Sequence, residues 1–230
     1  GMPVAPGPTP VSGAVETDTT WYAGASPYVL EGPVIVRDKA SLVIEPGTEI
    51  RSSGPGITVE GRLLAQGDGE HIIVFDAPEG KTWEGLSFVN VKEKENLVKH
   101  ARIRNAKIGV LCLASSPKIE DSEFVENGTA VRVSGAFSKP KLVRNAIHKQ
   151  KGAAVVIESG AQPLVEENQI RDNDREGILV QAASPVISRN AVAKNRGVGV
   201  VLKASPARVR ENNLSDNQPL DMMGEMTGEA

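Results

Sequence analysis

Apolar residues alternate with polar ones inside short runs of this chain, and the runs recur at a fixed longer interval. Aligned on Phe124, Ile147, Ile170, Val192 and Leu214, the segment 116–217 repeats after 23, 23, 22 and 22 residues. A second column has a small residue, an apolar residue, any residue and another apolar residue. It reads Gly56-Ile57-Thr58-Val59, Gly85-Leu86-Ser87-Phe88, Gly109-Val110-Leu111-Cys112, Ala130-Val131-Arg132-Val133, Ala154-Val155-Val156-Ile157, Gly177-Ile178-Leu179-Val180 and Gly199-Val200-Val201-Leu202. Pro33-Val34-Ile35-Val36 stands in front of these, making eight occurrences. Period-two alternation predicts strands, and a constant repeat in the low twenties predicts coils stacked so that like strands pair in parallel. The expected fold is all-β, a single-stranded parallel β-helix (solenoid) of about eight coils, with pairs such as Val131/Val133 pointing into the lumen. At a strand spacing of ~4.8 Å such a rod is roughly 40 Å long.

The polar positions repeat as strictly. Ser122, Asn145, Asn168, Asn190 and Asn212 form one column, and Asn127, Gln150, Asn173, Asn195 and Asn217 a second. Amides repeated at the strand spacing bond along the axis, and Asn also tolerates the left-handed backbone of a corner. Two further columns alternate in sign: Asp121, Arg144, Glu167, Arg189, Glu211, and Glu126, Lys149, Asp172, Lys194, Asp216. Exposed pairs contribute only ~0.2–1 kcal/mol each. Their larger effect is on register, because pairing a coil with the next but one sets like charge on like.

Composition narrows the picture. Aromatic residues make up 3% of the chain against 40% hydrophobic overall, which suits a narrow aliphatic lumen. A formal net charge of −3 provides no global field to draw in nucleic acid, which is not expected as a partner. The single cysteine, Cys112, sits in an apolar run and reads as a buried small hydrophobe. No apolar run approaches the ~20 residues of a transmembrane helix. Residues 1–20 are expected to be a disordered Pro/Gly-rich linker, 21–217 the β-helix, and 218–230 a tail or cap over the last open coil edge. Such a linker often follows a removed signal or lipid anchor, which suggests a periplasmic, cell-surface or secreted protein.

The Trp83-Glu84-Gly85-Leu86-Ser87-Phe88 segment followed by His100-Ala101-Arg102-Ile103 is similar to the entry to the repeats in bacterial exported β-helix proteins. With the repeats over roughly 28–217, the chain resembles the right-handed parallel β-helix proteins of the pectin-lyase-like superfamily. The resemblance implies a right-handed coil. It leaves function open among lyases, hydrolases, adhesins and non-catalytic scaffolds.

Catalysis of the polysaccharide lyase or hydrolase kind needs carboxylates, or a carboxylate-held cation with a base, on adjacent coils. The outward column Ile35, Thr58, Ser87, Leu111, Arg132, Val156, Leu179, Val201 holds no carboxylate, and no catalytic residues are assigned. His71, His100 and His148 fall in different columns without ligand spacing, so neither a metal nor another cofactor is expected. The candidate binding surface is Arg132, Glu158, Glu176, Gln181 and Lys203, where the columns break their rule, with the 76–83 and 92–96 loops as further places to look. Glu158 and Lys203 stand two coils apart, about 10 Å. Lys139, Lys141, Arg144, Lys149 and Lys151 form a basic cluster read as a solvated, internally paired face, with an anion or uronate contact as the alternative. The stripe Leu111, Val156, Leu179, Val201 is a candidate homodimer contact, or a place for the Met222-Met223 tail to pack. The expected function is a non-catalytic module contacting a carbohydrate or a protein partner at the cell envelope. The alternatives are a polysaccharide-active enzyme using Glu158 or Glu176 with Lys203, and a rigid spacer.

Overall fold

A computed structural model describes residues 4–91 and 95–225 of the chain. Each turn contributes three short strands. In one turn these are Lys118–Glu120, Glu123–Val125 and Thr129–Ser134, and each pairs in parallel with its counterpart one repeat later. The first position builds face one, a sheet of nine strands from Thr19–Trp21 to Arg208–Arg210. The second and third positions build faces two and three, which run on around a corner as one continuous set of eighteen strands. The architecture is thus an all-β parallel solenoid, slightly longer than the eight repeats found in the sequence.

Alternation decides what enters the lumen. Ile103, Phe124, Ile147, Ile170 and Val192 stack in register down face two, all fully buried. Cys112 lies in the lumen side of face three, and burial pushes its thiol pKa well up. Trp83, also buried, donates from its indole nitrogen to the Arg104 carbonyl and stacks on Phe75.

The Asn columns are internal. Asn168 Oδ1 accepts from both the backbone N–H and the side-chain Nδ2 of Asn145, while its own Nδ2 donates to the Leu142 carbonyl and to Asn190 Oδ1. Asn127, Gln150, Asn173, Asn195 and Asn217 form the second ladder, each buried. Beside the two ladders the left-handed residue is not the ladder amide but the charged residue just before it. Asp121, Arg144, Glu167, Arg189 and Glu211 have φ between 51° and 58°, and Glu126, Lys149, Asp172, Lys194 and Asp216 between 56° and 62°. A positive φ costs a residue bearing a Cβ ~1–2 kcal/mol. Here it turns the chain sharply while the charged side chain stays in water, and the following amide then points inward to satisfy buried backbone groups.

The N-terminal end differs from the sequence expectation. Within the supposed linker, Thr9–Val15 pairs in parallel with Tyr28–Val36, and Thr19–Trp21 with Ser41–Ile44. Glycine and proline hid this strand: Gly13, at φ 86°, replaces a lumen-side apolar residue at a register shift, while Val11 and Val15 still pack on the core. At the other end Met222–Glu225 adds a strand to face three, in register with Val200–Lys203, instead of folding over the stripe. Asp221 closes the second amide ladder, since its Oδ1 accepts from Asn217 N and Nδ2 as the next coil's Asn would. Met226 lies outside the described residues.

Candidate binding surface

Four of the five predicted surface residues come together on face three. Glu158, Gln181 and Lys203 occupy one register column on consecutive coils, below Ser134. Arg132, one coil above Glu158, reaches diagonally to it, with Nη2 2.7 Å from Oε1. Glu176 is elsewhere. It precedes Gly177 at the opposite end of the strand Ile178–Gln181, five residues from Gln181, and its carbonyl accepts from Ala154 N–H. Along a strand that separation is about 16 Å. Beside the polar column run Leu111, Arg132, Val156, Leu179, Val201 and Met223 in register, so Arg132 interrupts the apolar stripe. Leu111, Val156 and Leu179 are half-buried and Val201 is buried.

Of the two loops singled out in the sequence, 76–83 is held against the rod: Asp76 accepts from Asn105 Nδ2, and Trp83 is sealed in the core. Residues 92–94 of the second loop lie outside the described residues.

Sequence reasoning missed a shallow groove of about 410 Å³ at the corner of faces one and two. Ile72, Ala101, Ser122 and Ala146 line it together with His100, Arg102, Asp121, Glu123 and Arg144. The depression lies where Ala101 and Ser122 precede the first of the large ladder amides, Asn145, and where Ala146 follows Arg102 and Glu123 in the outward column, a signal visible in sequence only once the register is known. Its charges are paired: Arg102 with Glu123 at 2.8 Å, and Arg144 with Asp121 at 2.9 Å and with Glu120 at 3.3 Å. His148 brings Nε2 to 3.5 Å from Glu123, and its Nδ1 is buried without a partner.

The Arg144 hydrogen bond holds the Asp121 carboxyl below its ordinary pKa of 3.8. For Glu123 partial burial works upward, but Arg102 and then His148 outweigh it and the net displacement from 4.5 is down. Both folded-state values lie below the unfolded ones. The stability they contribute is therefore complete above the ordinary carboxylate range and is lost as pH falls through the lowered values. The thermal midpoint is expected to fall on acidification across this range, and Arg144→Gln should flatten that part of the curve. A midpoint-versus-pH profile identical in both proteins would contradict the assignment.

The model for "right handed beta helix region" matches residues 87–225. No curated protein matches the chain. Among solved structures, a mutant of the periplasmic alginate epimerase AlgG is similar at 14% identity and a TM-score of 0.55, over 87% of this chain and 66% of that one. This chain thus spans less than two thirds of that structure's length. The A-module of the Azotobacter vinelandii mannuronan C-5 epimerase AlgE6 aligns at 12% identity with a TM-score of 0.39, over 94% of this chain and 88% of that one. At these identities the AlgG likeness is one of fold. With parallel strands stacked turn upon turn and a family model covering more than half its length, the chain belongs to the right-handed β-helix family.

Proposed function

We propose that this chain is a non-catalytic β-helix module that contacts polysaccharide outside the cytoplasm, through Arg132, Glu158, Gln181 and Lys203 on face three. The observation that carries the reading is their register. Hydrogen-bonding groups of three chemistries recur on consecutive coils, alongside the half-buried Val156 and Leu179. A sugar polymer laid along the axis offers the complement, hydroxyls on its edges and C–H groups on its ring faces. The fold neighbour named for a periplasmic alginate epimerase is consistent with a carbohydrate ligand and with that location, and no helix of the described residues is long and apolar enough to cross a membrane.

A non-catalytic role is favoured by the state of the carboxylates. Glu158 is engaged by Arg132, and Asp121 and Glu123, whose carboxyls are lowered by guanidinium neighbours, are poor proton donors. Calorimetric titration with uronate-containing and neutral polysaccharides is expected to show binding, with the recovered polymer unchanged by NMR. Arg132→Ala and Lys203→Ala should each weaken it about three- to tenfold, or ~0.7–1.4 kcal/mol. Cleavage or epimerisation abolished by Glu158→Gln would instead establish an enzyme, and binding of a protein but of no polymer would move the ligand class.

A further inference from the structure

Asparagine followed two residues later by serine or threonine, with any residue but proline between, is the acceptor pattern for N-linked oligosaccharides. The chain carries this pattern twice, at Asn127-Gly128-Thr129 and at Asn213-Leu214-Ser215. In sequence the two look equivalent. The fold separates them.

Asn127 belongs to the second amide ladder and is fully buried. Its Oδ1 accepts from Ala106 N–H and its Nδ2 donates to the Ile103 carbonyl, so the nitrogen that would carry a sugar is turned into the rod and used there. Asn213 follows a ladder residue, Asn212, but points the other way. It opens the strand Asn213–Ser215 in the outward column of face two, where it is exposed beside the small, exposed Ala191 of the preceding coil. Period-two alternation sets Ser215 on the same outward side, with Leu214 between them packed on the core.

A transferase must also bend the acceptor segment into its own cleft, which a strand firmly held on both sides resists. Asn213–Ser215 is the last strand of face two among the described residues, paired with Ala191–Ala193. Its coil is packed more loosely than the one before: Ile187 and Val192 are fully buried, whereas their successors in register, Val209 and Leu214, are only partly so. In a solenoid each coil is held by its neighbours, so this one opens most readily. Glu211, exposed two residues before Asn213, supplies the acidic residue that bacterial single-subunit transferases read at that position.

We infer that Asn213 is an acceptor site for an N-linked oligosaccharide delivered from a polyprenyl-pyrophosphate carrier. Nδ2 of Asn213 forms a bond to C1 of the first sugar while the C1–O bond to the pyrophosphate breaks. The electron pair of that bond leaves with the lipid pyrophosphate, and Nδ2 gives up one proton to a base of the transferase. The inference rests on the location outside the cytoplasm proposed above, where such transfer takes place, and is independent of what the rod binds.

The test incubates the folded full chain with a purified bacterial single-subunit oligosaccharyltransferase and a carrier-linked oligosaccharide. The intact mass is expected to rise by one oligosaccharide, mapped to Asn213 by peptide mass spectrometry. Asn213→Gln and Ser215→Ala should each abolish transfer with an unchanged urea midpoint, and Thr129→Val should leave transfer as it is. Glu211→Gln should slow it roughly tenfold or more, the loss of one charge-assisted contact. A wild-type chain that stays unmodified, that accepts the sugar only after denaturation, or that accepts it at Asn127 as readily as at Asn213 overturns the acceptor site and leaves the location reading standing. Recovery of the chain in the cytoplasm on cell fractionation overturns the location, and with it the modification in the cell, whatever the purified system does.

Discussion

Asn168→Leu is expected to destabilise the protein by about 2–4 kcal/mol and to lower its soluble yield. The leucine is similar in volume, so packing loss is not the cause. Asn168 Oδ1 is the acceptor for Asn145 N–H, and its Nδ2 is a donor to the Leu142 carbonyl. Both partners sit where water does not reach, and Asn145 and Asn168 are 2% and 1% exposed. The control is Asn212→Leu at the last rung. Asn212 also accepts from the coil above, through Asn190 N–H and Nδ2, but it is only half-buried. Water substitutes for the lost acceptor there, and the expected cost is about 1 kcal/mol or less. Urea unfolding of the two variants decides the matter; equal midpoint shifts would mean that the ladder contributes nothing through burial.

Phe124→Ala is expected to cost about 3–5 kcal/mol, the range for truncating a fully enclosed aromatic side chain. Phe124 lies in the lumen between Ile103 and Ile147, and its ring fills the space that a Cβ on Gly109 would enter. A solenoid coil contacts only its neighbours, so the cavity cannot be shared out over a large core. Phe124→Leu retains most of the volume and should cost no more than about 1.5 kcal/mol. Unfolding midpoints measured for both test the claim, and an alanine variant no worse than the leucine one would show that the lumen collapses around the gap.

How much of this was legible in advance depended on whether a residue's partner lies in its own column. Asp121 and Arg144 could be paired from the repeat alone, and they meet at 2.9 Å. The column of Glu158, Gln181 and Lys203 was equally legible. The pairing of Arg132 with Glu158 crosses from one column to the next and needed side-chain geometry. Glu176 was wrongly grouped because it is close to that column in sequence, while the strand carries the two apart. The strand Thr9–Val15 escaped notice because Gly and Pro gave it a linker's composition.

The sequence by itself determined the parallel β-helix, its repeat, the inward apolar columns and the sign-alternating charges, because in a solenoid each of these is a one-dimensional pattern read at a constant period. Only the tertiary structure decided where the left-handed corners fall, which way the amides face, how the ends are completed, and which charges meet across columns. Those outcomes depend on contacts between different columns and different faces, which a period cannot encode. Arg132 and Glu158 show this most directly: they stand in neighbouring columns, and only the side-chain geometry brings them together.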